Sequence, residues 1–200
     1  MPAAALRTRV RATVAGAILT AAEAVALAAG LDGVTVAAVA AEAGVAVGTL
    51  YNHFAGREAI IAALFKVRRA ALRPLITAAS DATRALPFED RLRALMRQLL
   101  VGFGPYEAFL RLSILADSQG SRLRPRDPSL AAPTLEALED CLRAGARRKL
   151  FPVRMAPAYA RMLHGQLRSI FVWRLTAEPA LAADGDFIVD AFLRGVARPA

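Results

Sequence analysis

Cysteine and histidine are scarce in this sequence. Cys141 is the single cysteine among 200 residues, so the chain can form neither an intrachain disulfide nor a cysteine-based metal site. It has only two histidines, and it lacks H-E-x-x-H, G-x-S-x-G and any glycine-rich phosphate loop ending in Lys-Ser or Lys-Thr. We therefore expect a protein that is not an enzyme, with no catalytic residues, no metal and no cofactor. A reducing cytoplasm fits this composition, and Cys141 is expected to be a small buried residue.

Period-two alternation of β-branched residues is also absent beyond short stretches such as 34–36, which argues against half-buried strands. Hydrophobic residues make up 56% of the chain, and the strong helix formers Ala and Leu are prominent among them. The sequence therefore predicts an all-α fold.

Acidic residues are outnumbered by basic ones, which gives a formal net charge of +9. An excess of this size favours polyanionic partners such as DNA, RNA or an anionic membrane surface. The excess lies mostly outside the N-terminal region, because residues 1–57 hold four arginines against three carboxylates. Net charge alone therefore does not locate a nucleic-acid surface.

Apolar residues at three- and four-residue steps predict a first helix that ends near Gly30. Thr35 is a suitable N-cap for a second helix over Val36–Ala43. Gly44 can then take the left-handed conformation of a sharp turn, after which Val45–His53 can form a short third helix. Two short helices flanking a tight turn are the result.

A fourth helix is expected to begin at residues 56–58, and Pro74 is expected to bend or stop it within a turn of Arg73. Later helices are predicted at about 87–103, 106–118, 129–149, 156–177 and 184–197. Residues 118–133 contain three prolines and predict the longest connection in the chain.

The segment from Ile18 to Ile60 reads ILTAAEAVALAAGLDGVTVAAVAAEAGVAVGTLYNHFAGREAI, and it resembles without gaps the DNA-binding domain of TetR-family repressors. The residues that carry the resemblance most sharply are Ala40, Ala43-Gly44-Val45, Gly48-Thr49-Leu50-Tyr51 and His53-Phe54. The resemblance implies a helix-turn-helix domain with a basic N-terminal arm over residues 1–57. It also implies an α-helical effector-binding and dimerisation domain over residues 58–200, joined to the first by a linking helix.

In the family, residues equivalent to Thr49, Tyr51 and His53 commonly contact the DNA backbone, and those equivalent to Val47, Gly48 and Asn52 commonly face base edges. Independently of the family, asparagine can pair with adenine and valine can pack on a thymine methyl group. Thr35, Arg57 and the arginines of the arm are suited to phosphates, and the arm could enter the minor groove. The predicted DNA-binding residues are Arg7, Arg9, Arg11, Thr35, Val47, Gly48, Thr49, Tyr51, Asn52, His53 and Arg57.

Two positions depart from the family pattern. Ala46 and Val47 stand where the family often has Ser or Thr and Lys, so the third helix lacks a capping hydroxyl and a phosphate-binding charge. A missing cap costs about 1 kcal/mol of helix stability, which packing by Leu50 and Phe54 can offset.

The sequence of the expected effector domain carries no recognisable binding motif, so candidate ligand-binding residues are chosen by residue type. Flexible methionines and flat aromatic rings suit the wall of an apolar pocket, and a few polar side chains could orient a ligand, although such residues more often form core or solvated faces. The candidate ligand-binding residues are Met96, Leu99, Phe103, Tyr106, Phe109, Arg111, Leu112, Met162, Gln166 and Trp173. In the family the last two helices dimerise, and their apolar stripes here are Tyr159, Leu163, Ile170, Phe187, Ile188, Ala191 and Phe192.

These features predict a cytoplasmic, homodimeric repressor that binds a double-stranded, palindromic DNA operator, has no membrane partner, and is released by a small, largely apolar ligand. The alternative is an exported helical protein or enzyme whose residues 1–31 form a signal peptide. Glu23 argues against that alternative, because a carboxylate in the middle of the apolar run costs roughly 2.5 to 3.5 kcal/mol on membrane-insertion scales.

Overall fold

A computed structural model describes residues 3–118, 131–173 and 181–196. The side chains of residues 3, 4, 115–118, 173, 181, 182 and 196 are not part of this description. Every regular element within these ranges is helical, which confirms the all-α prediction. The helices are α1 (Ala3–Gly33), α2 (Val36–Ala43), α3 (Val47–Tyr51), α4 (Arg57–Thr83), α5 (Phe88–Phe103), α6 (Glu107–Ser118), α7 (Ala132–Arg147), α8 (Ala156–Trp173) and α9 (Leu181–Val196).

The predicted bounds of α2 are confirmed to the residue, and those of α5, α6, α7 and α9 lie within three residues of the observed ones. The predicted residues 129–130 of α7, 174–177 of α8 and 197 of α9 lie outside the described ranges. Helix α3 is shorter than the predicted span Val45–His53. It begins only at Val47 because the backbone of Ala46 is extended, with φ −67° and ψ 145°.

Helix α4 does not stop at Pro74, so that part of the prediction was wrong. Proline removes one backbone hydrogen bond and costs about 3 kcal/mol in a helix interior. On either side of it, however, α4 buries Leu72, Ile76 and Ala79 to 4% exposure or less. Because burying each large apolar side chain contributes about 1.5 to 3 kcal/mol, the packed face offsets the proline.

The described residues cluster into two compact units. The N-terminal unit comprises those within Met1–Arg68 and Ala108–Arg126, and the C-terminal unit comprises those within Arg69–Glu107 and Asp127–Ala200. The first unit thus contains α1–α3, the start of α4 and most of α6.

The N-terminal unit is built on α1. By length and apolar composition Ala5–Gly33 could span a membrane, a test that a buried core helix also passes. In this unit Ile18 and Ala22 of α1 are fully buried. Glu23 accepts a hydrogen bond of 3.0 Å from Nε of Arg68 on α4. The Glu23 carboxylate is therefore paired with an arginine of the same unit, which opposes the signal-peptide alternative.

The C-terminal unit is held together by helix pairs. Helix α5 packs against α9 and α7, and α7 packs against α8. Arg93 and Arg97 on α5 form ion pairs with Asp190 and Asp186 on α9, at 2.7 Å between Arg93 Nη2 and Asp190 Oδ1 and 2.6 Å between Arg97 Nε and Asp186 Oδ1. These contacts fix α9 across α5.

Candidate nucleic-acid interface

The turn between α2 and α3 is set by its two caps. Oγ1 of Thr35 accepts a hydrogen bond of 3.1 Å from the backbone N–H of Ala38, as expected of an N-cap hydroxyl. Gly44 ends α2 in the left-handed conformation, with φ 65° and ψ 32°, a backbone that glycine adopts without strain. Both predicted caps are confirmed, and they fix where α3 begins.

Helix α3 has only five residues, and no side chain caps its start at Ala46. Its support comes from Leu50, which is 1% exposed in the core of the N-terminal unit. Beyond the helix, the backbone N–H groups of His53 and Phe54 donate to the carbonyl of Leu50 at 2.9 and 2.8 Å. One buried leucine thus anchors the short helix and the turn that follows it.

The opposite face of α3 is open to solvent. Val47 is 44% exposed and Tyr51 is 58% exposed, and Gly48 and Asn52 are also exposed. Val47, Gly48 and Asn52 are the residues predicted to face base edges, and Tyr51 is one of those predicted to contact the DNA backbone. Thr49 and His53, predicted to contact the backbone, are partly buried.

The basic N-terminal arm expected from the sequence has a helical backbone. Arg7, Arg9 and Arg11 lie in the first turns of α1, which is helical from Ala3. No glycine or proline between residues 3 and 15 interrupts the helix, so these exposed side chains extend from a helical backbone. Nη2 of Arg11 donates 3.1 Å to the backbone carbonyl of Asn52 at the end of α3, a contact that helical periodicity gives no signal for.

The candidate ligand-binding residues are divided between the two units. Phe109, Arg111 and Leu112 belong to the N-terminal unit, and the other described candidates belong to the C-terminal unit. Met96, Leu99 and Phe103, like Phe109 and Leu112, are at most 6% exposed, and Tyr106 is partly buried. Met162 is 44% exposed, and the side chain of Trp173 is outside the described part.

Some of the candidate dimer residues are buried in the core, and others lie on the surface. Leu163 is fully buried and Phe192 is 4% exposed, and Tyr159 and Phe192 stack edge to face with ring centroids 5.2 Å apart. Their periodicity reflects packing inside the chain, so Leu163 and Phe192 offer little surface to a partner. By contrast, Phe187 is 74% exposed.

Two side chains on α6 carry buried polar atoms without a partner in the part of the chain that the structure describes: Arg111, which is among the predicted ligand-binding residues, and Ser113, which was not predicted from the sequence. Ser113 is 1% exposed, and neither its Oγ nor Nε of Arg111 has a hydrogen-bond partner among the described residues. Buried polar atoms are usually paired, which makes these two atoms notable.

Comparison with known proteins identifies the N-terminal unit. The sequence profile of the bacterial regulatory proteins of the tetR family matches residues 18–64, which covers α2, α3 and the turn between them. Residues 18–64 thus form a DNA-binding domain of the TetR type. No curated protein sequence matches the chain.

Solved TetR-family and related regulators share the fold. The bacterial regulatory protein in the tetR family from Rhodococcus RHA1 superposes with a TM-score of 0.76 at 20% identity, covering 94% of this chain and 98% of that one. The ketosteroid regulator KstR2 of Mycobacterium tuberculosis gives 0.72 at 20% identity, covering 90% and 93%. FadR from Bacillus subtilis, solved with stearoyl-CoA, gives 0.65 at 19% identity, covering 90% and 97%. The TetR-type domain over residues 18–64 indicates a DNA-binding transcriptional regulator, in agreement with the expectation that the chain is not an enzyme.

Proposed function

We propose that this protein is a cytoplasmic, homodimeric repressor of the TetR family that binds a palindromic operator through α3 and is released from it by a small, largely apolar effector. The observation that carries the proposal is the two-faced construction of α3. Leu50 holds the helix from below, while Val47, Gly48, Tyr51 and Asn52 remain open to solvent. A short, rigidly supported helix with an exposed outer face is suited to enter a major groove about 12 Å wide.

Within that groove, Asn52 can pair with adenine, Val47 can pack on a thymine methyl group, and Gly48 leaves room for a base edge. Backbone contacts then fix the register of the helix on the duplex. The residues we assign to the DNA backbone are Arg7, Arg9, Arg11, Thr35, Thr49, Tyr51 and His53.

A twofold dimer follows from this small footprint, since one five-residue helix reads too few bases for useful specificity. Phe187 supports an interface on α8 and α9. Its exposed ring borders an open cavity of about 190 Å³ that Gln166, Ile170 and Ile188 also line. We propose that a second copy covers this face.

Native mass spectrometry tests the dimer. Phe187→Asp should convert the protein to monomers, because the charge would be buried in the interface. Val153→Asp is the matched control, since Val153 is 64% exposed in the short 3-10 helix before α8 and does not line this cavity, and it should leave the dimer intact. A dimer that survives Phe187→Asp would contradict this assignment.

The apolar character of the effector is supported by two structural relatives, one solved with stearoyl-CoA and one that is a ketosteroid regulator. Ser113 Oγ and Arg111 Nε on α6 are the buried groups best placed to gain a partner from an effector's polar end. We propose that effector binding shifts the separation of the two α3 helices, with α4 as the transmitter. An effector-bound structure with unchanged α3 separation would contradict this coupling.

Gel-shift titration against the DNA upstream of the protein's own gene tests the function as a whole. The wild type should shift this DNA in a salt-sensitive manner, and stearoyl-CoA or a ketosteroid should reverse the shift. Tyr51→Ala combined with Asn52→Ala should abolish it. Full binding by the double variant would refute the role of α3.

A further inference from the structure

The C-terminal end of α1 leaves backbone carbonyls in need of partners. Gly30 breaks the helical backbone with φ 74° and ψ 172°, so the residues after it cannot continue the regular hydrogen-bond ladder. The carbonyl of Leu31 accepts from the N–H of Val34 at 3.2 Å, but it also faces the start of α4.

Arg57, the first residue of α4, supplies the missing donors. Its Nη2 donates to the carbonyl of Leu31 and to the carbonyl of Asp32, both at 3.0 Å, and lies 3.5 Å from Oδ1 of Asp32. The side chain of Arg57 is 29% exposed, whereas that of Asp32 is 95% exposed. The backbone carbonyls, rather than the solvated carboxylate, are therefore its principal partners.

These bonds join the two ends of the helix-turn-helix. Leu31 and Asp32 lie just before Thr35, which caps α2, and Arg57 follows directly after the turn that leaves α3. The Arg57 guanidinium thus links the end of the segment to Leu31 at its start, 26 residues earlier in the sequence. One side chain therefore holds both ends of the segment that carries α3.

The same geometry engages or buries two of the three guanidinium nitrogens within the protein. Nη2 is directed at protein carbonyls, and Nε is buried without a partner. A phosphate ligand would instead need its donors turned to solvent, as the exposed Arg7 and Arg9 can turn theirs. We propose that Arg57 is a positioning residue that sets α3 for base reading, and that it is not one of the phosphate contacts expected from the sequence.

Salt dependence separates the two roles, because each phosphate contact contributes about 0.9 to the slope of log affinity against log salt concentration. Fluorescence anisotropy of the full chain would be measured from 50 to 300 mM KCl on two duplexes. One is selected by the wild type from random DNA, and the other has the same composition in scrambled order. The inference rests on the proposed base reading by α3, so the ratio of the two affinities is the second readout.

Arg57→Met keeps the aliphatic part of the side chain and removes the guanidinium. We expect its salt slope to equal that of the wild type, while its preference for the selected duplex falls about tenfold, the size of one lost base contact. Arg9→Ala is the matched control for a phosphate contact and should lower the slope by about 0.9 with the preference unchanged. A slope lowered by about 0.9 in Arg57→Met, with its preference retained, would overturn the inference.

Arg57→Lys provides a second reading if Arg57→Met does not fold. Lysine keeps the charge but is a point donor that lacks the planar guanidinium. Reduced preference at a wild-type slope supports positioning, and wild-type behaviour in both readouts overturns it. A wild-type protein that shows no preference between the duplexes would overturn the base-reading proposal and this inference together.

Discussion

Replacing Leu50 with alanine should abolish DNA binding even though Leu50 faces the core and cannot touch DNA. Helix α3 has five residues and no capping side chain, and helices of that length are unstable in isolation. Leu50 is 1% exposed, and burial of this one side chain is what holds α3 in place. Truncating a fully buried leucine to alanine costs about 2 to 5 kcal/mol. We expect α3 to detach locally or the N-terminal unit to unfold.

The assay pairs guanidinium denaturation, followed by circular dichroism, with anisotropy on a selected duplex. Tyr51→Ala is the matched control, one position along the same helix but 58% exposed. It should change the free energy of unfolding by less than about 0.5 kcal/mol while lowering DNA affinity about tenfold, the equivalent of one hydrogen bond to a charged group. A Leu50→Ala variant with wild-type DNA affinity would refute the packing argument. So would a Tyr51→Ala variant that loses stability but keeps its affinity.

Three further predictions concern the C-terminal unit. Gly145→Ala should lower the free energy of unfolding by about 1 to 3 kcal/mol, because a Cβ at Gly145 would lie 2.6 to 2.8 Å from ring carbons of Phe88. Thermal or urea unfolding measures this loss, and a variant as stable as the wild type would contradict it. Burial raises the pKa of the Cys141 thiol to about 12, so it should react with Ellman's reagent only after unfolding, and rapid labelling of the folded protein would refute it. Burial, and secondarily the charge of Arg168, lowers the pKa of His164 to about 4 from its usual 6.5. The unfolded chain therefore takes up this proton first as the pH falls, so stability should be lost between pH 6.5 and 4, by at most about 3 kcal/mol, and His164→Gln should lose less.

The DNA-binding module was predictable because its signals are local. The Thr35 hydroxyl caps the helix that begins at the next residue, and Gly44 supplies a left-handed turn within the same short segment. Leu50 and Phe54 stand at helical spacing, so their inward direction could be inferred as well. Each of these features depends on residues at most four positions apart.

The remaining features depend on contacts between distant residues. The partners of Arg57 lie 26 and 25 residues before it, and no periodicity relates a side chain to a carbonyl across that distance. Pro74 was expected to stop α4 because its backbone penalty is local, whereas the burial that offsets it depends on tertiary packing. Likewise, apolar spacing marked Leu163 as one member of a stripe without showing whether its own chain or a partner covers it.

The most direct test of the central claim is selection of duplexes from random DNA by the wild type, followed by hydroxyl-radical footprinting on the winning sequence. We expect two protected half-sites centred about 10 base pairs apart or a multiple of that spacing. We also expect Tyr51→Ala combined with Asn52→Ala to select no common sequence. Enrichment of the same sequence by the double variant, or no enrichment by the wild type, would contradict the claim that α3 reads DNA.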